Sequence, residues 1–165
     1  MNRAVYCGVA LLGMLTGCTR GIDQQKFAGV YKAGQDIKGA TSVGLTLVRY
    51  RELLGTFASQ VAQAKDAAKS EHEQLMVSQY ENALSNYSDA AKVWGAKVEH
   101  GATLLIQEFP EGPELATKYN LTMHPAELRP EVKMLYADEA MQEIWQRAGQ
   151  HLAMANTMYT GKSQE

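Results

Sequence analysis

Apolar residues recur at alternating spacings of three and four along two long stretches of this chain. Val43, Leu47, Tyr50, Leu54, Phe57, Val61, Ala64 and Ala68 make the first, and Val77, Tyr80, Leu84, Tyr87, Ala91, Trp94 and Val98 the second. That alternation returns side chains to one face of an α-helix, so each stretch predicts a helix with a continuous apolar seam. Between them, Ser70 and Glu73 have capping-box spacing, in which each side chain takes up a backbone N–H that the first helical turn leaves orphaned. A new helix therefore starts there, after a very short link. Two seams so joined fold back as an antiparallel hairpin.

Upstream, Phe27, Val30, Gly34, Ile37, Thr41 and Gly44 continue a helical stripe, offset by one residue from the seam that follows. Glycines recur every five residues at 29, 34, 39 and 44, each lowering helix propensity by about 1 kcal/mol relative to alanine. They permit either the close approach of another helix or a frayed tether. No proline interrupts the stretch, and Asp23 suits a cap, so a helix is expected from about Gln24. Continued to Ala68, it would approach about 70 Å. After Ile106 the pattern stops. Pro110, Gly112, Pro113, Pro125 and Pro130 fall close together, predicting a loop over Phe109–Pro130 with one helical turn near Glu114–Tyr119. Arg129-Pro130-Glu131 reads as a helix restart with proline at its first position. Ala137, Met141, Ile144, Ala148, His151, Ala155 and Met158 then form a third seam, flanked by Trp145 and Leu152. No strand alternation competes. The expectation is an all-α, elongated three-helix bundle: the helical hairpin plus a third helix after a long loop. Residues 18–160 make its single domain, and 161–165 a polar, disordered tail. Ala83 to Trp94 resembles a tetratricopeptide helix, but one copy cannot build that stack.

The first residues read differently. Arg3 precedes an apolar run from Ala4 to Leu15, too short to span a membrane, and Leu15-Thr16-Gly17-Cys18 follows. This resembles the leader and lipobox of bacterial lipoproteins. The resemblance covers only the first 20 or so residues. It implies that 1–17 are cleaved and that Cys18 becomes a lipidated first residue carrying several acyl chains, enough for stable attachment to a membrane. Thr19 stands where such proteins carry the aspartate that retains them at the inner membrane. The implied address is the outer membrane, facing the periplasm.

Composition narrows the chemistry. Cys7 would leave with the leader and Cys18 is taken by lipid, so disulfides, thiol catalysis and cysteine metal sites are not expected. Loss of Arg3 from the 16 basic residues leaves 15 against 18 acidic ones, with no basic run to suit nucleic acid. His72 and His100 lie some 40 Å apart on one predicted helix; His124 sits in the loop. No nucleophile stands at readable spacing from any of them. Glu108, Glu111 and Glu114 lack the ligand density of a calcium loop. His151 lies within the third seam, with Met154 and Met158 on the same face, a soft donor set that suits Cu(I) or a haem iron. Methionines filling gaps in a core explain the same pattern without a ligand. No catalytic, metal or cofactor site is therefore assigned, and none of these features calls for a cofactor. The expectation is a non-enzymatic, membrane-attached component that binds an envelope protein through the 109–130 segment. Its alternative is a carrier of a small ligand, lipid or metal near His151, Met154 and Met158. Heptad seams close within one chain or between chains, so oligomeric state stays open.

Overall fold

Every long helix but the last begins where a side chain takes up orphaned amides. In the computed structural model, which describes residues 21–161, Asp23 accepts from the backbone N–H groups of Gln25 and Lys26 and opens α1, Gln24–Val43. Thr46 does the same for Arg49 at the head of α2, Leu47–Ala67. The capping box of Ser70 and Glu73 opens α3, Glu71–His100, as its spacing predicts. An insert follows: β1, Thr103–Leu105; α4, Gly112–Tyr119; β2, His124–Ala126; and β3, Arg129–Tyr136. The chain ends in α5, Ala137–Thr160.

The expected single helix from Gln24 to Ala68 is two helices. Gly44 adopts φ +88°, a backbone region that a side chain would strain, and the cap at Thr46 restarts the helix three residues after α1 stops. The two halves then fold against each other, with Gly29 facing Gln60 and Gly34 facing Phe57. A Cβ on Gly34 would lie 3.0 Å from Leu152 and 3.6 Å from both Phe57 and Tyr80. That glycine is where α1 closes onto α5.

The neighbours run antiparallel. Tyr50 of α2 meets Trp94 of α3, and Phe57 meets Tyr80. Trp94 meets Trp145 of α5, and Tyr80 bonds Asn156. Tyr31 of α1 stacks on Tyr159 with ring centres 4.5 Å apart. The expected three-helix bundle is thus a four-helix ring, in the order α1, α2, α3, α5, with a small sheet added. Its core joins Phe27, Val30 and Ile37 to Tyr50, Phe57, Tyr80, Tyr87, Ile144 and Leu152, all at most 1% exposed. At about 25 cal/mol per Å², each such side chain contributes roughly 1.5–3 kcal/mol on burial.

The predicted loop is a folded insert, and the all-α expectation fails there. The sheet order is β1-β3-β2, antiparallel throughout. β3 begins at Arg129-Pro130, where a helix restart was expected. Proline suits the first positions of a strand as well as those of a helix. What decides is the alternation that follows: Val132 and Met134 are buried, Glu131 and Lys133 exposed. Ala126 pairs with Arg129, so β2 and β3 join through Glu127 and Leu128. The helical turn expected near Glu114 is α4, with Leu115, Ala116 and Tyr119 inward. Residues 1–20 and 162–165, with the predicted leader, Cys18 and nearly all of the predicted tail, lie outside the described residues. Among the described residues, no helix is long and apolar enough to cross a membrane.

Two glycines of the five-residue series test this account. Nothing approaches a Cβ built on Gly39 within 4 Å, so Gly39→Ala gains helix propensity, up to about 1 kcal/mol. Gly44→Ala forces a side chain into positive φ and loses about 1–2 kcal/mol. Urea unfolding should move the two midpoints in opposite directions; equal shifts would mean that α1 and α2 are not separated by this turn.

Candidate functional site

The insert is held to the bundle by one buried carboxylate. Asp89 lies on α3 with its side chain 8% exposed. It accepts from Lys92 Nζ at 2.6 Å, Lys118 Nζ at 2.7 Å and the Tyr119 hydroxyl at 2.9 Å. The same hydroxyl lies 2.8 Å from Asn86 Oδ1, and Lys118 Nζ also reaches Ser85. Burial opposes the charge on Asp89, but the donors from Lys118, Lys92 and Tyr119 outweigh it and hold the carboxyl below its ordinary value. Burial and the adjacent carboxylate push the Tyr119 phenol up, so it stays a donor. The network spans α3 and α4 only because the chain returns, and no local spacing announces it. Behind it, Leu104, Phe109, Leu115 and Leu135 join the insert to the main core.

On its outer side the insert presents apolar surface. Leu128, in the β2–β3 turn, is 96% exposed, and Met123 stands out nearby in the sequence. Beside them, the His124 ring lies 4.7 Å from that of Tyr136. His124 Nε2 is buried without a hydrogen-bond partner, and Glu139 Oε2 is 3.7 Å away, too far for a hydrogen bond.

The other residues picked out by sequence are dispersed. His72 lies in the first turn of α3 and His100 at its end. Glu108 and Glu111 fall in the turn before α4, and Glu114 lies in its first turn. His151 Nδ1 meets Gln79 Oε1 at 2.8 Å, and burial pushes the imidazole pKa down, towards the neutral form. Met154 is exposed, whereas Met158 packs against the core. The shared helical face thus does not close into one pocket around the three. Among the described residues, no group of three or more histidines, cysteines or acidic side chains is placed to hold a metal.

The tyrosines of the predicted seams find hydroxyl partners within the core. The Tyr50 hydroxyl donates to the Tyr87 carbonyl at 2.7 Å and accepts from Trp145 Nε1 at 3.0 Å. Burial pushes its pKa up, as it does for Tyr80; the Tyr87 phenol is pushed up to about 12, with a bond to Thr41 opposing the shift. Tyr80 donates to Asn156 Oδ1 at 3.0 Å. At the end of the bundle where the described chain begins, Lys26 pairs with Glu73 at 2.8 Å. That pair, with the backbone N–H groups of Lys69 and Ser70, draws the Glu73 carboxyl down to about 2.

No protein-family model matches the chain, and no curated protein or solved structure matches it significantly.

Replacing Asp89 with asparagine keeps the shape and removes the charge. Both lysines are substantially exposed and rehydrate, so the expected loss is about 1–3 kcal/mol rather than the larger cost of a fully buried pair. Amide exchange of Leu115–Tyr119 should quicken more than that of α2. The folded pKa of Asp89 is depressed, so its contribution is complete above the ordinary value of 3.8 and is lost as pH falls through the lower folded value. The difference in stability between wild type and D89N should therefore be flat from pH 7 to 5 and shrink below pH 4. A difference growing in acid would refute the assignment.

Proposed function

We propose that this protein is a lipid-anchored, periplasm-facing component of the bacterial envelope that works by binding another envelope protein rather than by catalysis. The observation that carries the reading is the Leu15-Thr16-Gly17-Cys18 sequence just ahead of the folded domain. Only Thr19 and Arg20 separate Cys18 from Gly21, where the described chain starts. The head of α1, the α2–α3 turn and the end of α5 share that end of the bundle, as the Lys26–Glu73 and Gln24–Tyr159 contacts require. The chain leaves α3 for the insert, and rejoins α5, at the opposite end. At about 1.5 Å per residue, the 30 residues of α3 span about 45 Å. With a tether at Cys18, the ends of the insert would lie at the far end of the bundle from the bilayer, while α4 packs back against the middle of α3 at Ser85 and Asp89. Leu128 is then a contact residue on a folded platform, in place of the flexible loop expected over 109–130.

Cys18→Ser should abolish labelling by radioactive palmitate and release the protein from the membrane pellet. An unchanged sedimentation would sink the anchor. A photo-crosslinking residue at Leu128 should yield adducts with an envelope protein in intact cells, whereas one at Gln63, on exposed α2, should not. Equal adducts from both sites would remove the insert from the contact surface.

A further inference from the structure

Helices α1 and α5 meet closely over half their length and then part. They touch where Tyr31 stacks on Tyr159 and where Gly34 admits Leu152. Beyond Ile37 the α1 residues that line the gap are Lys38, Thr41 and Ser42, and α5 answers with Gly149, Gln146, Trp145 and Gln142. Polar side chains replace the apolar seam, so nothing draws the helices together there. The result is a cleft of about 550 Å³, within the size range of small-ligand sites. Tyr87 and Trp145 form its aromatic floor; Trp145 donates to the buried Tyr50 hydroxyl, and Tyr87 bonds Thr41 on the α1 wall.

Charge divides along this cleft. Lys38 is half-buried on the α1 wall and forms no ion pair among the described residues. Glu139 and Glu143 lie on the α5 wall nearer the insert. Glu143 is bonded to Arg147, and Glu139 is 70% exposed. The antiparallel register sets Lys38 near the level of Gly149. From there to Glu143 and Glu139 is six and ten residues of helix, or about 9 and 15 Å. Gln146 stands between Lys38 and Glu143, and Gln142 lies one turn further on, between Glu143 and Glu139; each offers an amide donor and an acceptor.

We infer that the α1–α5 cleft binds a short extended peptide with free ends, its carboxylate at Lys38 and its ammonium group at Glu139 and Glu143. Three or four residues at about 3.3 Å each span the distance between the poles. The glutamine amides match the backbone groups of such a chain, and the aromatic floor accepts small side chains. A single amino acid is too short to reach both poles, and a neutral sugar leaves both charges unused.

Tetra-alanine with free termini is the probe, followed by tryptophan fluorescence, because Trp145 lines the cleft. Saturable binding is expected, weakened about tenfold by amidating the carboxyl end or by Lys38→Gln, and similarly by acetylating the amino end or by Glu139→Gln combined with Glu143→Gln. Lys32→Gln makes the same charge change at an exposed i,i+4 pair outside the cleft and should leave the affinity as it was. Unchanged thermal melts would show that each variant folds. The inference falls if no saturable change occurs up to about 5 mM, an affinity below about 3 kcal/mol. It also falls if the doubly capped peptide binds as well as the free one, or if Lys32→Gln weakens binding as much as Lys38→Gln.

Discussion

The hydroxyl of Tyr50 sets the register of this molecule. It is buried, and a buried phenol left without partners costs about 1–3 kcal/mol, a sizeable part of the 5–15 kcal/mol that holds a typical domain together. Here it donates to the Tyr87 carbonyl on α3 and accepts from Trp145 on α5, joining three helices at one level. Trp94 and Trp145 pack edge to face beside it. Slipping α2 by one turn would break both bonds, slipping α3 or α5 would break one of them, and any of these slips would scatter the rings. The same constraint fixes Trp145 where it floors the α1–α5 cleft.

Around that layer, closure is a matter of small residues and polar ends. Gly34 lets α1 approach close enough to α5 to complete the ring, and Gly44 turns α1 back instead of letting it run on. The last turns of α1 then carry lysine, threonine and serine where an apolar seam would have zipped shut. The opening follows from the sequence of that turn and requires no distortion. The insert is attached on different terms. Asp89 keeps its charge in a buried position because two lysines and a phenol donate to it, while Leu104 and Leu135 supply the apolar contact that neutral side chains can make.

Some of this was legible along the chain. The Ser70–Glu73 box opens α3, and the Ala137–Met158 seam is the inner face of α5, because caps and periodicity are local properties. The break between α1 and α2 left two traces: the glycine at 44 and the one-residue offset between the stripes on either side of it. A shift in phase marks a change of axis, and a single straight helix does not explain it. The strands were harder to read. β1 and β2 have three residues each, too few to show a period of two. In β3, a proline beside an acid mimics the opening of a helix. Among the candidate residues, His151 and Met158 do lie on the inward half of α5, but Gln79 already occupies the imidazole. The Asp89, Tyr119 and Asn86 cluster could not have been foreseen, since some 30 residues separate Tyr119 from the other two.

By itself, the sequence determined the helical character of the long stretches before Val43, from Leu47 to Ala67, from Glu71 to His100 and after Ala137, which face of each is apolar, and where α1 and α3 begin. Those properties depend on residues within one or two turns of each other. Tertiary structure decided that four helices close into a ring, that α3 is covered on two sides, that the proline-rich segment folds as a sheet and helix, and where a charged side chain is buried or a cleft stays open. Each of these depends on contacts between residues far apart in the chain, whose energies have no counterpart in local spacing.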